Sequence, residues 1–259
     1  MLISRIKSKL EFKLLRIFKK YGERMLFIEA MEKCSRPVFI YQMGKVGSKS
    51  IKESLQAAYT EPIVHGHGFS HNFHNWKIRI LYQFFAKGKP INIITLTREP
   101  VSRNVSHFFQ KYKGSLTVSV DDLLKLFMKT HDHELATNWF DENIKKNFGI
   151  DIYEKEMPDS GYQVYERGRI RILLIKVETD DDIIVNAVKT FLGIDEFSLT
   201  NHNISANKNY GKLYNKFVKK ARLPKEYIRA RISDRYFKHF YDESVADAIW
   251  NKWYDGKPL

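Results

Sequence analysis

The sequence predicts an α/β fold: a mostly parallel central sheet flanked by helices, followed by a helical C-terminal third. Three observations carry this reading. Short apolar runs (Val38–Tyr41, Ile63-Val64, Ile91–Leu96) alternate with longer stretches of helical periodicity, the pattern of a parallel sheet covered on both faces. The chain has 259 residues, 43% hydrophobic and 14% aromatic, enough to bury a large core and incompatible with disorder. No internal repeat or low-complexity tract interrupts the alternation.

The elements follow in order. Residues 1–35 read as a basic amphipathic helical extension and residues 36–259 as the α/β domain. In the extension Ile6, Leu10, Leu14, Ile17, Phe18 and Tyr21 recur at helical spacing with Lys and Arg between them. Such a helix either packs on the domain or docks on an anionic membrane face through residues 3–33, and the sequence leaves both open. Pro37 opens the first strand. A Gly-containing turn leads to a helix that starts near Ser48 and continues from Ile51 to Tyr59, with Ile51, Leu55 and Ala58 on one side. Glu61-Pro62 ends it. Ile63-Val64 forms a second strand running into His65-Gly-His-Gly-Phe. Trp76–Phe85 is helical and stops at Gly88. Ile91–Leu96 is the clearest buried strand, and Thr97-Arg98-Glu99-Pro100 turns it into a helix with Pro100 in the first turn. Helices are expected at Val120–Thr130, Glu134–Asn147 and Asp180–Leu192. Gly161–Glu166 and Ile170–Val177 flank Arg167-Gly168 as a hairpin or two neighbouring strands. Tyr210–Ala221, Lys225–Ile232 and Asp242–Trp253 complete the helical third.

A net charge of +14 calls for an anionic partner, but no zinc-finger spacing or RNA-binding aromatic signature supports nucleic acid. Cys34 is the only cysteine, so no intrachain disulfide or cysteine-based metal cluster is expected. No run of eighteen apolar residues and no secretory leader pattern is visible, so a cytoplasmic place is expected, with peripheral contact at the inner face of the membrane as an option.

The most informative segment is Gln42-Met-Gly44-Lys45-Val46-Gly47-Ser48-Lys49-Ser50. A strand, a tight turn and a helix start aim backbone N–H groups and a positive helix terminus at one point, where an anion can sit, and Lys45 adds a charge. A triphosphate-binding loop, Gly-x-x-x-x-Gly-Lys-Ser/Thr, fits poorly: aligned on Lys49-Ser50, it finds Met43 and Ser48 where glycines belong. No apolar strand ends in a magnesium-holding Asp either.

Lys45-Val-Gly47-Ser48 after a strand, together with Arg98-Glu-Pro-Val-Ser-Arg103-Asn-Val-Ser106 after a second strand, resembles the sulfotransferase family that uses 3′-phosphoadenosine-5′-phosphosulfate. The resemblance implies a P-loop-NTPase-like architecture. It also implies that the first element (Gly44, Lys45, Val46, Gly47, Ser48, Lys49, Ser50) holds the 5′-phosphosulfate and that Arg98 and Ser106 grip the 3′-phosphate, with Lys208 reaching it from a C-terminal loop. Lys49 stands where the family usually has a hydroxyl residue. Asn138-Trp139-Phe140-Asp141 and Arg231 to Tyr241 resemble segments of bacterial sulfotransferase-like proteins associated with capsular polysaccharide synthesis.

Val64-His65-Gly66-His67-Gly68 is similar to the His-Gly-His stretch of the branch that sulfates uronic-acid hydroxyls, which implies His67 as general base and His65 as its companion; a loop role or a metal site are the alternatives. Lys45 is the residue expected to meet the leaving phosphate. The scheme requires no metal. The sequence therefore leads to a carbohydrate sulfotransferase acting on a polysaccharide or glycolipid acceptor, itself possible as an anionic chain. A nucleotide-dependent phosphotransferase and a non-catalytic binder of anionic glycans or membranes stand as alternatives, and oligomeric state is open.

Overall fold

Burial marks two of the sheet's three interior strands: every residue of β1 (Val38–Tyr41) and β3 (Ile91–Thr97) is buried. Strands buried on both faces need cover on each, which parallel strands obtain from their crossover helices. The computed structural model describes residues 2–200 and 209–254, with side chains from Phe18 onward. Its five strands lie in the order β2-β1-β3-β5-β4, with β2 at Ile63–Gly66, β4 at Tyr162–Arg167 and β5 at Ile170–Lys176. The first four in that order are mutually parallel and β4 alone is antiparallel, joined to β5 as a hairpin with Arg167 opposite Ile170.

The helices cover this sheet. α1 (Leu2–Lys33) precedes β1, and α2 (Ser48–Ala58) crosses from β1 to β2. α3 (Trp76–Ala86) joins β2 to β3, and α4 (Pro100–Lys111) leaves β3 with Glu99 capping it through bonds from the Val101 and Ser102 N–H groups. α5 (Val120–Thr130) and α6 (Leu135–Trp139) lead to a π-helical turn (Phe140–Lys145) and α7 (Lys146–Phe148). α8 (Asp181–Leu192), α9 (Gly211–Lys220), α10 (Lys225–Ile232), α11 (Arg235–Phe240) and α12 (Glu243–Trp253) complete the described chain.

Two expectations change. The helix over Glu134–Asn147 is not uniform, because its ladder widens into a π turn at Phe140–Lys145. There the Asn143 side chain is drawn to the sheet: its Oδ1 accepts from the Tyr41 hydroxyl at 2.7 Å while its Nδ2 donates to the Trp139 carbonyl at 3.0 Å. α11 is an additional helix, short enough to hide within an aromatic run and started by Asp234, which accepts from the Phe237 N–H at 2.8 Å.

β1 sends its crossover to β2 on one side while β3 lies on the other, so the carboxyl ends of β1 and β3 flank the point where strand order reverses. Open α/β sheets bind ligands in that crevice. The helical third braces it from behind. Tyr236 is fully buried, and its hydroxyl donates to the Arg98 carbonyl at 2.9 Å and accepts from the Arg98 N–H at 3.2 Å, tying α11 to the residue that ends β3. Tyr236→Phe would leave both Arg98 backbone groups without this partner. A cost of about 1–3 kcal/mol is expected, read by calorimetry as a Tm lower by roughly 3–10 °C; an unchanged Tm would show that the latch carries no load.

Candidate active site

The turn after β1 is shaped by two backbone conformations. Lys45 has φ 75° and Gly47 φ 81°, both left-handed, and Lys45 is the only described non-glycine residue with positive φ. Held against its intrinsic preference, Lys45 marks a backbone that the surroundings impose. Gly47 is the N-cap of α2 and brings no side chain to it, so no side chain caps the helix start at the crevice, where the Ser50 N–H donates to the Gly47 carbonyl at 3.2 Å. A methyl group on Gly47 would also sit 2.8 Å from Val177 Cγ2.

Two arginines from the β3–α4 side impose that shape. Arg98 Nη1 donates to the Lys45 carbonyl at 3.2 Å, and Arg103 Nε donates to the Gly44 carbonyl at 3.1 Å. Consecutive carbonyls are thereby drawn toward the guanidinium groups. Arg103 is fully buried, its Nη1 donates to Asn104 Oδ1 at 2.8 Å, and its Nη2 has no partner among the described residues. Burial pushes its pKa down to about 10, which leaves it a cation at neutral pH.

β2 supplies the histidines. Pairing of Ile40 with His65 places that ring beside the turn. His65 Nε2 lies 3.1 Å from Gln42 Nε2 and 3.0 Å from Ser48 Oγ, so this nitrogen is occupied from both sides. Burial lowers the His65 pKa to about 4. His67 is arranged differently. Its Nδ1 lies 2.8 Å from the Gln42 carbonyl, which can only accept, so Nδ1 carries the proton and neutral His67 keeps its lone pair on Nε2. The His67 ring is exposed and lines a cavity of about 830 Å³.

That cavity runs outward from Gly44. α4 provides one wall with Arg103, His107 and Lys111, residues that share a helix face. The other wall comes from the α6–π segment, with Asn138, Trp139 and Asn143. The lining therefore mixes cations, the carboxylates of Asp132 and Glu142, amides and an aromatic ring, a set suited to hydroxyl-rich ligands.

The expected site residues fall into three groups. Gly44, Lys45, Val46, Gly47 and Ser48 form the turn itself, with Arg98, His65 and His67 joined to it by the bonds above. Ser106 is buried on α4, one turn beyond Ser102, whose hydroxyl receives Lys252 Nζ from α12 at 3.1 Å. Lys49 is exposed and pairs with Glu53 at 3.4 Å one turn along α2, and Ser50 is half-buried. Lys208 lies outside the described residues. Sequence reasoning assigned no role to Gln42, Asn143 or Lys252. Gln42 could have been noticed as a polar residue between an apolar strand and a glycine turn; the other two depend on packing of distant elements.

Fold and site together define an α/β protein with an arginine-clasped, glycine-containing turn at the carboxyl end of β1 and a polar cleft beside it. The family model NKWYS, described as "Putative capsular polysaccharide synthesis protein", matches residues 112–242, half of the chain, and the protein belongs to that family. The matched region contains the Asn138–Asn143 wall of the cleft, whereas the cradle precedes it. Neither curated proteins nor solved structures give a match.

Three half-buried histidines set a pH dependence. Burial holds His65 at about 4 and both His107 and His131 at about 3, against an ordinary value of 6.5. As pH falls below 6.5 the unfolded chain takes up protons at these positions that the folded protein refuses. Stability is therefore greatest above that value and declines toward about pH 4. The Tm should drop between about pH 7.5 and about pH 5, and His131→Phe, which keeps the ring stack on Phe127, should flatten the drop. A Tm independent of pH in this window would contradict the assignment.

Proposed function

We propose that the protein is a sulfotransferase that moves a sulfuryl group from 3′-phosphoadenosine-5′-phosphosulfate to a carbohydrate hydroxyl, within capsular polysaccharide synthesis. The observation that carries this reading is His67. Its Nδ1–H is committed to the Gln42 carbonyl, and its Nε2 lone pair stands at the cleft wall beside the Gly44–Ser48 cradle.

The chemistry would run in line. The acceptor hydroxyl gives its proton to His67 Nε2 as its oxygen bonds to sulfur. The bond between sulfur and the 5′-phosphate oxygen breaks, and the electron pair leaves with that phosphate as 3′,5′-ADP. Such a transition state needs fixed positive groups at the departing oxygens more than covalent help. Lys45 and Ser48 are assigned to that task, with the N-terminus of α2 behind them. His65 is assigned to hold Ser48 and Gln42 in place, since its Nε2 is already engaged by both. Arg98 and Ser106, with Lys208, are assigned to the 3′-phosphate. Lys49, turned toward Glu53, has no task in this scheme. No step calls for a metal ion.

A labelled-sulfate transfer assay over acidic and neutral glycans tests the reading. Lys45→Ala should lower the transfer rate by about a hundredfold or more, and His67→Ala by about a hundredfold to ten-thousandfold. Both variants should keep the wild-type Tm within a few degrees. Near-normal transfer by His67→Ala would remove the proposed base, and phosphoryl transfer from ATP with magnesium in place of sulfuryl transfer would replace the reading with a kinase.

A further inference from the structure

The free end of α1 is built like a surface that expects a partner. At its C-terminal end the helix is seated on the domain: Met31 is buried, and Phe27 meets Trp76 edge-on at 5.4 Å between ring centroids. One turn earlier the contact ends. Phe18, Tyr21, Met25 and Leu26 are 69%, 65%, 47% and 68% exposed. Only two other large apolar side chains among the described residues, Leu116 and Leu126, are comparably exposed, and neither belongs to this helix. Scattered single apolar residues are ordinary on a protein surface; four within nine residues are not.

Their spacing is equally informative. Positions 18, 21, 25 and 26 stand at i, i+3, i+7 and i+8, with Gly22 completing the set at i+4. That is the stripe by which a helix normally buries itself. Leu10, Leu14 and Leu15 occupy positions that extend the same pattern toward the N-terminus. The helix is continuous from Leu2 to Lys33, about 48 Å at 1.5 Å per residue.

Charge chooses the partner. Residues 1–20 hold seven basic side chains (Arg5, Lys7, Lys9, Lys13, Arg16, Lys19, Lys20) and one acidic, Glu11. A second copy of this helix would set seven cations against seven. A lipid surface bearing anionic headgroups offers the opposite charge beside an apolar layer into which Phe18, Met25 and Leu26 can sink. None of the described helices is long and apolar enough to cross a membrane, so the fitting arrangement is a helix lying in the interface plane. The geometry points to α1, from its N-terminal end through Leu26, as an amphipathic anchor that holds the protein on an anionic bilayer, independently of the reaction proposed above.

Flotation of the full chain with lipid vesicles tests this. The wild-type protein should float with vesicles of phosphatidylcholine containing a quarter phosphatidylglycerol, float at least tenfold less with pure phosphatidylcholine, and be released from the former by high salt. Phe18→Asp combined with Leu26→Asp should cut anionic-vesicle binding at least tenfold with no change in Tm, because both side chains are exposed. Failure of the wild type to bind, equal binding to both vesicle types, or binding unaffected by the double substitution would each overturn the inference. A wild-type dimer in light scattering that the double substitution converts to monomer would also overturn it, in favour of a self-association face.

Discussion

The candidate site depends on the grip of two guanidinium groups on two consecutive carbonyls. Arg98 holds Lys45 O and Arg103 holds Gly44 O, and the turn between β1 and α2 takes a form that Lys45, at φ 75°, would not choose alone. The arginines come from the far side of the crevice, one at the end of β3 and one in the first turns of α4. The sheet order, the α4 cap and the Tyr236 latch therefore all act on the same few atoms. Held by its carbonyls, the turn delivers the start of α2 to the crevice between β1 and β3.

The histidine pair shows how one fold gives two identical side chains different surroundings. Both rings contact Gln42, but His65 meets its side-chain amide and His67 its backbone carbonyl. The first contact, shared with Ser48, consumes a ring nitrogen; the second fixes a tautomer and leaves the opposite nitrogen exposed. Burial then keeps His65 neutral, which suits a positioning group beside cationic neighbours.

Much of this was legible in the sequence. Apolar runs at β1 and β3, the hairpin around Arg167-Gly168, Pro100 at the start of α4 and the helical C-terminal third follow from local rules. Proximity of the turn to Arg98 was an expectation carried by motif order. What escaped were features created by tertiary contacts. The π turn at Phe140–Lys145 coincides with a bond from the Tyr41 hydroxyl at the end of β1 to Asn143, and no local pattern signals that contact. Arg103 stood in the sequence only as a member of the Arg98–Ser106 motif; its burial and its bond to the Gly44 carbonyl appear only in the fold. The different contacts of His65 and His67 needed hydrogen-bond geometry, because sequence offers only their spacing.

The central claim of the proposal is that this turn, clasped by Arg98, recognises a nucleotide carrying phosphates at both ends of its ribose. Isothermal titration of the wild-type protein and Arg98→Ala with 3′,5′-ADP, in the absence of magnesium, tests it most directly. Saturable binding of 3′,5′-ADP, at least tenfold tighter than 5′-ADP and losing that preference in Arg98→Ala, is the result the account predicts. No binding of 3′,5′-ADP, or equal affinity for the two nucleotides in the wild type, would contradict it.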